Sequence, residues 1–204
     1  MVADYVGLVV HDFWAPYFKY GESTHAMCCA HLLRELKWVA ENTRQKWAGE
    51  MAELLREMKL AKENCQRDGQ NALPEPLAEQ FARRYAEILG LGDIEAPYDY
   101  SSKKQHKSRN LLERFIDHMD EITRFAHHFV VPFTNNCAER AIRNAKVKQK
   151  VSGAFRSHFG IHNFATIFSV IGTAAKQGLS VFDTLKNILA GDCFSLFSLP
   201  SATV

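Results

Sequence analysis

The sequence predicts a mainly α-helical chain that starts with one buried strand. Three observations carry this. One six-residue apolar run, Tyr5-Val-Gly-Leu-Val-Val10, is rich in β-formers and is closed by His11-Asp12 and Pro16. Apolar residues then recur at three-and-four spacing through most of the chain. Clusters of Gly, Pro and Asn separate these periodic stretches.

The elements follow in order. Ser23 or Thr24 opens a helical stretch to about residue 68, as two helices or as one broken near Asn42-Thr43. Leu32, Leu33, Leu36, Val39 and Ala40 form its first stripe, and Met51, Leu54, Leu55 and Met58 form its second. The loop Asp68 to Pro76 precedes a helix with Leu77, Phe81, Tyr85 and Leu89 spaced by four, ending at Gly90. Gly92 to Pro97 is the next break. Residues 103–128 place Leu111, Leu112, Phe115, Ile116, Met119, Ile122 and Phe125 on one face. Asn136 is placed to cap the helix that begins Cys-Ala-Glu-Arg, and Ser152-Gly153 ends it. Two last helices fall near 159–177 and 181–190, with Gly178 between them and Ser180 or Asp183 starting the second. A lone strand leaves its backbone groups without partners, so the strand is expected to pair with another chain or with a missing part of its sheet.

Composition narrows the function classes. The 204 residues are 47% hydrophobic and 24% charged, enough apolar side chain for a core. Lys and Arg total 25 against 23 Asp and Glu, which excludes a histone-like basic protein and an acidic tail. Any nucleic-acid role must therefore come from local clustering. Cys28, Cys29, Cys65, Cys137 and Cys193 show no CxxC spacing, so neither a disulfide framework nor a ribbon-type zinc site is expected. No apolar run is long enough to span a membrane, and the start, with Asp4 and no basic stretch, does not read as a signal peptide.

Four constellations could carry chemistry. Asp12 stands just past the strand, where α/β architectures place ligand groups. It reads as a metal ligand or acid/base residue, or as a surface Asp opening a turn. Glu139 falls three residues after Asn136, where it can close a capping box or point at a metal. After it come Arg140, Arg143, Lys146, Lys148, Lys150 and Arg156 with no acidic residue between them. Solvated helix faces usually mix signs, so nucleic-acid phosphate is the better match for this run. Val147, Val151 and Phe155, interleaved with it, are expected to face the core in part. Cys28-Cys29-Ala30-His31 reads as buried thiols and a helix-face imidazole, because Cys29 and His31 are poorly spaced for a shared metal.

Taken together, these residues resemble transposases of the insertion sequence sixty-six family. Pro132-Phe-Thr-Asn-Asn-Cys-Ala-Glu-Arg-Ala-Ile-Arg143 is similar to the signature around the family's last acidic residue. The resemblance continues through Ser152-Gly153-Ala-Phe-Arg156, Phe164 to Ile171 and Gly178 to Phe182. Cys29-Ala-His-Leu-Leu-Arg-Glu35 is similar to the family's Cys-x-Ala-His element. Asp12 with the aromatic residues up to Tyr17 resembles its second acidic position, with Phe13 where the family normally has Gly.

The resemblance implies the carboxyl-terminal part of an RNase H-like α/β fold with a long helical insertion. It divides the chain into a core strand (1–22), an insertion (23–130), core helices (131–192) and a tail (193–204). It implies an Asp-Asp-Glu site in which Asp12 and Glu139 are catalytic carboxylates that bind Mg²⁺ or Mn²⁺, cleaving DNA ends and transferring strands. Arg140, Arg143, Lys146, Lys148, Lys150 and Arg156 would hold DNA, both transposon ends and target. A homo-oligomer or a full-length transposase is an implied partner, and the prokaryotic cytoplasm and its nucleoid the implied location. The family's first Asp lies on an earlier strand, so that residue, the preceding strands and the amino-terminal DNA-recognition region are expected to lie outside this chain. The alternative is an inactive remnant that only binds DNA or a transposase partner.

Overall fold

A computed structural model describes residues 5–192. The predicted tail 193–204, with Cys193, lies outside the described residues. Helix dominates: eight α-helices and two short strands occur among the described residues. The chain divides into two compact units, 1–135 and 136–204.

The first unit opens with β1 (Leu8–His11), a 3₁₀ turn (Ala15–Lys19) and β2 (Thr24–Met27). The strands are parallel, with Leu8 opposite Thr24 and His11 opposite Met27. Bonds from Thr24 N–H to the Gly7 carbonyl and from Cys28 N–H to the His11 carbonyl, both 2.8 Å, extend the ladder at its two ends. Two expectations are thereby corrected. The strand has a partner within its own chain, and Ser23-Thr24 leads into a strand rather than a helix. Ala26 and Met27 are good helix formers and run straight into helical periodicity, so local propensity concealed β2. Pairing with β1 overrides it. The predicted strand also started too early: Tyr5 and Val6 are exposed, and pairing begins at Leu8.

Five helices follow: α1 (Cys29–Asn42), α2 (Trp47–Arg67), α3 (Glu75–Glu95), α4 (Lys107–Asp117) and α5 (Met119–His127). Leu32, Leu36 and Val39 of α1, Met51, Leu54 and Leu55 of α2, Phe81 and Tyr85 of α3, and Leu111, Leu112 and Phe115 of α4 share one core. The expected break after Asn42 is real. Its far side is closed from a distance: Glu95, at the end of α3, accepts from the N–H groups of Lys46 and Trp47 at 2.7 and 2.9 Å. That carboxylate satisfies donors that the start of α2 cannot satisfy itself.

α3 does not stop at Gly90 but runs to Glu95. Gly92 serves packing instead of termination. A Cβ at Gly92 would stand 2.5 Å from Leu112 Cδ1, so its absence lets α4 approach α3. The 103–128 stretch divides at His118 into α4 and α5. Near that division the Tyr85 hydroxyl donates to the Phe115 carbonyl at 2.9 Å. Lys62 of α2 is buried, and its ammonium donates to the Val131 carbonyl, tying down the segment after α5. Burial holds that ammonium below the usual lysine range.

The second unit contains α6 (Asn136–Ser152), α7 (His158–Lys176) and α8 (Val181–Leu189). The predicted stops hold. Gly178 takes φ +70°, and the Leu179 N–H returns to the Ala174 carbonyl at 2.9 Å, a Schellman closure. The Ser180 hydroxyl accepts from Asp183 N–H and starts α8. No residue of α6 is buried, however. Val147 and Val151, expected to face the core in part, are 50% and 81% exposed. The side of α6 that meets α7 is formed by Ala141, Ile142, Ala145 and Gln149, which line a groove with Phe164 and Phe168. The helical period turns the two valines away from it.

Candidate functional site

Asp12 follows β1 directly, as expected, and its side chain is half-buried. One carboxylate oxygen accepts from Trp14 N–H at 3.2 Å, closing a small turn. Two histidines not singled out in the sequence support this corner. His11 is buried, and its Nδ1 donates to the Asp12 carbonyl oxygen. Its Nε2 lies 2.9 Å from His25 Nδ1, and His25 Nε2 donates to the Tyr20 carbonyl at 3.0 Å. Both outer bonds require N–H, so the contact between the rings carries a proton only when one ring is charged. Burial holds the His11 imidazole below its ordinary range, while the bond to Asp12 works in the opposite direction. His118 meets Phe13 and Phe18, and Tyr17 stacks on His11 at 4.8 Å, so aromatic rings enclose the strand end.

The start of α1 holds the segment that leads toward Glu139. Cys29 N–H donates to the Phe133 carbonyl at 3.1 Å. The Asn135 N–H donates to Cys28 Sγ at 3.4 Å, and His31 Nδ1 lies 3.3 Å from the same sulfur. Cys28 and Cys29 are buried free thiols, as the sequence suggested. Burial raises the Cys29 thiol well above the usual range.

In the second unit, Glu139 stands in the first turn of α6. It shares a cavity of about 360 Å³ with Asn136, Arg140, Arg143 and Lys146. Positions 139, 143, 146 and 150 recur at helical spacing, so Lys150 continues this line. Lys148 falls on the opposite side of the helix, and Arg156 lies in the connection to α7. The six basic residues are thus not one face: Arg140, Arg143 and Lys146 gather beside Glu139, Lys150 extends that group, Lys148 faces away from it and Arg156 lies beyond the helix.

Carboxylate oxygens are the right donors for a hard divalent cation. Asp12 belongs to the first unit and Glu139 to the second. Among the described residues, no group of three or more His, Cys, Asp or Glu side chains is placed to hold a metal. The donor type of both carboxylates fits Mg²⁺ or Mn²⁺.

The model of the Transposase IS66 family matches residues 1–163, and the chain belongs to that family. The match runs from before Asp12 to beyond Arg156, so it takes in every site residue named above. No curated protein and no solved structure matches the chain. Among the described residues, no helix is long and apolar enough to cross a membrane.

Proposed function

We propose that the chain takes part in DNA transposition, in the cytoplasm on nucleoid DNA, with the α6 surface as its DNA contact. The observation that carries this reading is the grouping of Arg140, Arg143 and Lys146 around Glu139 at the start of α6. Guanidinium and ammonium groups so placed suit phosphate oxygens, and a carboxylate among them suits a metal that would approach the same phosphate. Asp12 and Glu139 are the carboxylates we assign to the Mg²⁺- or Mn²⁺-binding set of an RNase H-like centre, with end cleavage and strand transfer as its reactions. Lys150 and Arg156 add to this basic surface, and Lys148 offers a further phosphate contact from the opposite side of α6. The test pairs cleavage of a DNA end with Mn²⁺ titration. Glu139→Gln should weaken Mn²⁺ binding and lower cleavage by at least a hundredfold, about 2.7 kcal/mol of barrier. Unchanged cleavage and Mn²⁺ binding in Glu139→Gln would remove the catalytic reading.

A second reading rests on the exposed basic line of α6, Arg143, Lys146 and Lys150, which can hold phosphates without a metal. The chain then binds DNA, a second copy or a full-length transposase without doing chemistry. DNA affinity that falls steeply with salt, together with no cleavage by the parent protein, supports this alternative.

A further inference from the structure

The first unit carries a second basic surface that the α6 reading does not use. α1 and α4 leave a cavity of about 420 Å³ between them, lined by Glu35, Trp38, Val39, Lys107, Asn110 and Arg114, with Leu111 at its base. Trp38 is 40% exposed, which is unusual for so large an apolar ring, and Lys107 Nζ lies 4.9 Å over it. The loop before α4 adds more of both kinds. Tyr98 and Tyr100 are 42% and 92% exposed, with ring centres 4.8 Å apart, and Lys103 and Lys104 are exposed beside them. That loop is tied in place. Gln105 Oε1 accepts from Asp99 N–H at 2.8 Å, and Gln105 Nε2 donates to the Asp99 carbonyl at 2.8 Å.

The charge balance decides the sign of a partner. Glu35 is matched by a two-pronged pair with Arg114. Asp93 and Glu113 share the single charge of Arg109, and Glu41 pairs with Lys37. Asp99 accepts from the backbone and hydroxyl of Ser101. Lys103, Lys104 and Lys107 form no ion pair among the described residues, and against Asp99 and the carboxylate that Arg109 leaves unmatched they keep a net excess of one positive charge, concentrated at the 103–107 segment. Lysine is depleted at protein–protein interfaces, where aromatic residues are enriched. Lysines interleaved with exposed rings instead match nucleic acid, where phosphates take the charges and bases take the ring faces. Duplex DNA hides its base faces in the stack, whereas an unpaired strand presents them. Asn110 adds an amide that can both donate to and accept from a base edge.

We propose that Trp38, Lys107 and the 98–105 loop, all residues of the first unit, form a binding surface for unpaired DNA. The source of that strand, an opened DNA end, rests on the transposition reading, but the binding itself does not.

The test measures anisotropy of a labelled single-stranded oligonucleotide and of its duplex at several salt concentrations, using the full chain. Trp38→Ala should weaken single-strand binding by about fivefold or more and leave duplex binding unchanged, while Trp38→Phe keeps most of the affinity. The variant Lys103→Gln/Lys104→Gln/Lys107→Gln alters only exposed side chains and should lower the single-strand salt slope by about 2. Polyglutamate should compete poorly at equal charge. Single-strand affinity and slope equal to the parent's in the lysine variant would overturn the proposal, as would polyglutamate competing as well as DNA. A third variant, Arg140→Gln/Arg143→Gln/Lys146→Gln, separates the two claims. If it alone loses duplex binding, the α6 reading stands whatever becomes of this one.

Discussion

Gly90 and Gly92 lie two residues apart in the same helix, and alanine should act on them with opposite signs. At Gly90 an added Cβ meets nothing within 4 Å, and the residue is exposed. Gly90→Ala should therefore gain the ordinary helical preference, about 0.5–1 kcal/mol. At Gly92 the same methyl would stand 2.5 Å from Leu112 Cδ1, 3.1 Å from Cδ2 and 3.4 Å from Cγ. Carbon atoms pack at about 3.5–4.0 Å, so the overlap with Cδ1 is at least ~1 Å. Leu112 is fully buried and cannot swing into solvent. Overpacking of this kind costs about 1–3 kcal/mol, which exceeds the helical gain. The net expectation is a loss of about 1–2 kcal/mol for Gly92→Ala. Urea unfolding followed by circular dichroism and by the fluorescence of buried Trp47 reads both variants. The midpoint should rise for Gly90→Ala and fall for Gly92→Ala with the slope unchanged. Trimming the neighbour, in Gly92→Ala/Leu112→Val, should recover part of the loss. Equal stability of the two single variants would refute the claim that α4 is seated against a bare α3 backbone.

Other outcomes follow from the same core and from the caps. Burial raises the Tyr85 phenol and the Cys29 thiol above their ordinary values of 10.0 and 9.0. The unfolded chain therefore releases these protons first, and stability is full at neutral pH and falls as pH rises through about 9 and then 10. Tyr85→Phe should cost about 1–2 kcal/mol at pH 7, by removing the bond to the Phe115 carbonyl, yet flatten the decline above pH 10. Melts recorded between pH 7 and 11 test this, and an unaltered alkaline slope counts against it. Ser180→Ala removes the acceptor for Asp183 N–H and should destabilise α8 by about 1 kcal/mol. Amide exchange in Asp183–Leu189 should then quicken about fivefold, and unchanged exchange would mean that the cap contributes nothing.

What could be read beforehand follows the range of the interaction responsible. Leu32, Leu36 and Val39, or Leu111, Leu112 and Phe115, are visible as helix faces because three-and-four spacing is local. Gly178 and Ser180 were legible for the same reason, since a cap is satisfied within a few residues. β2 was hidden because Thr24–Met27 becomes a strand only by pairing with β1, and nothing in those four residues outweighs the helix formers among them. Glu95 is similar: its carboxylate closes α2 from the far end of α3, and no short motif announces it. Gly92 misled outright, since a glycine that permits close approach and one that ends a helix look the same until the neighbour is known.

The same division runs through the candidate sites. The Glu139, Arg143 and Lys146 line is a property of one helix, so its spacing already placed those side chains together. That spacing also placed Lys148 opposite, which a count of basic residues passed over. Around Asp12, by contrast, His11, His25 and His118 come from two strands and the start of α5, and only strand pairing and ring packing bring them near. Trp38 and Lys107 likewise come from α1 and α4, and neither stood out in its own helix. Charge along a single helix can be counted from sequence; an aromatic ring meeting a lysine across two helices cannot. The second surface is for that reason the stronger test of the fold, because its variants lose single-strand binding only if α1 and α4 pack as described.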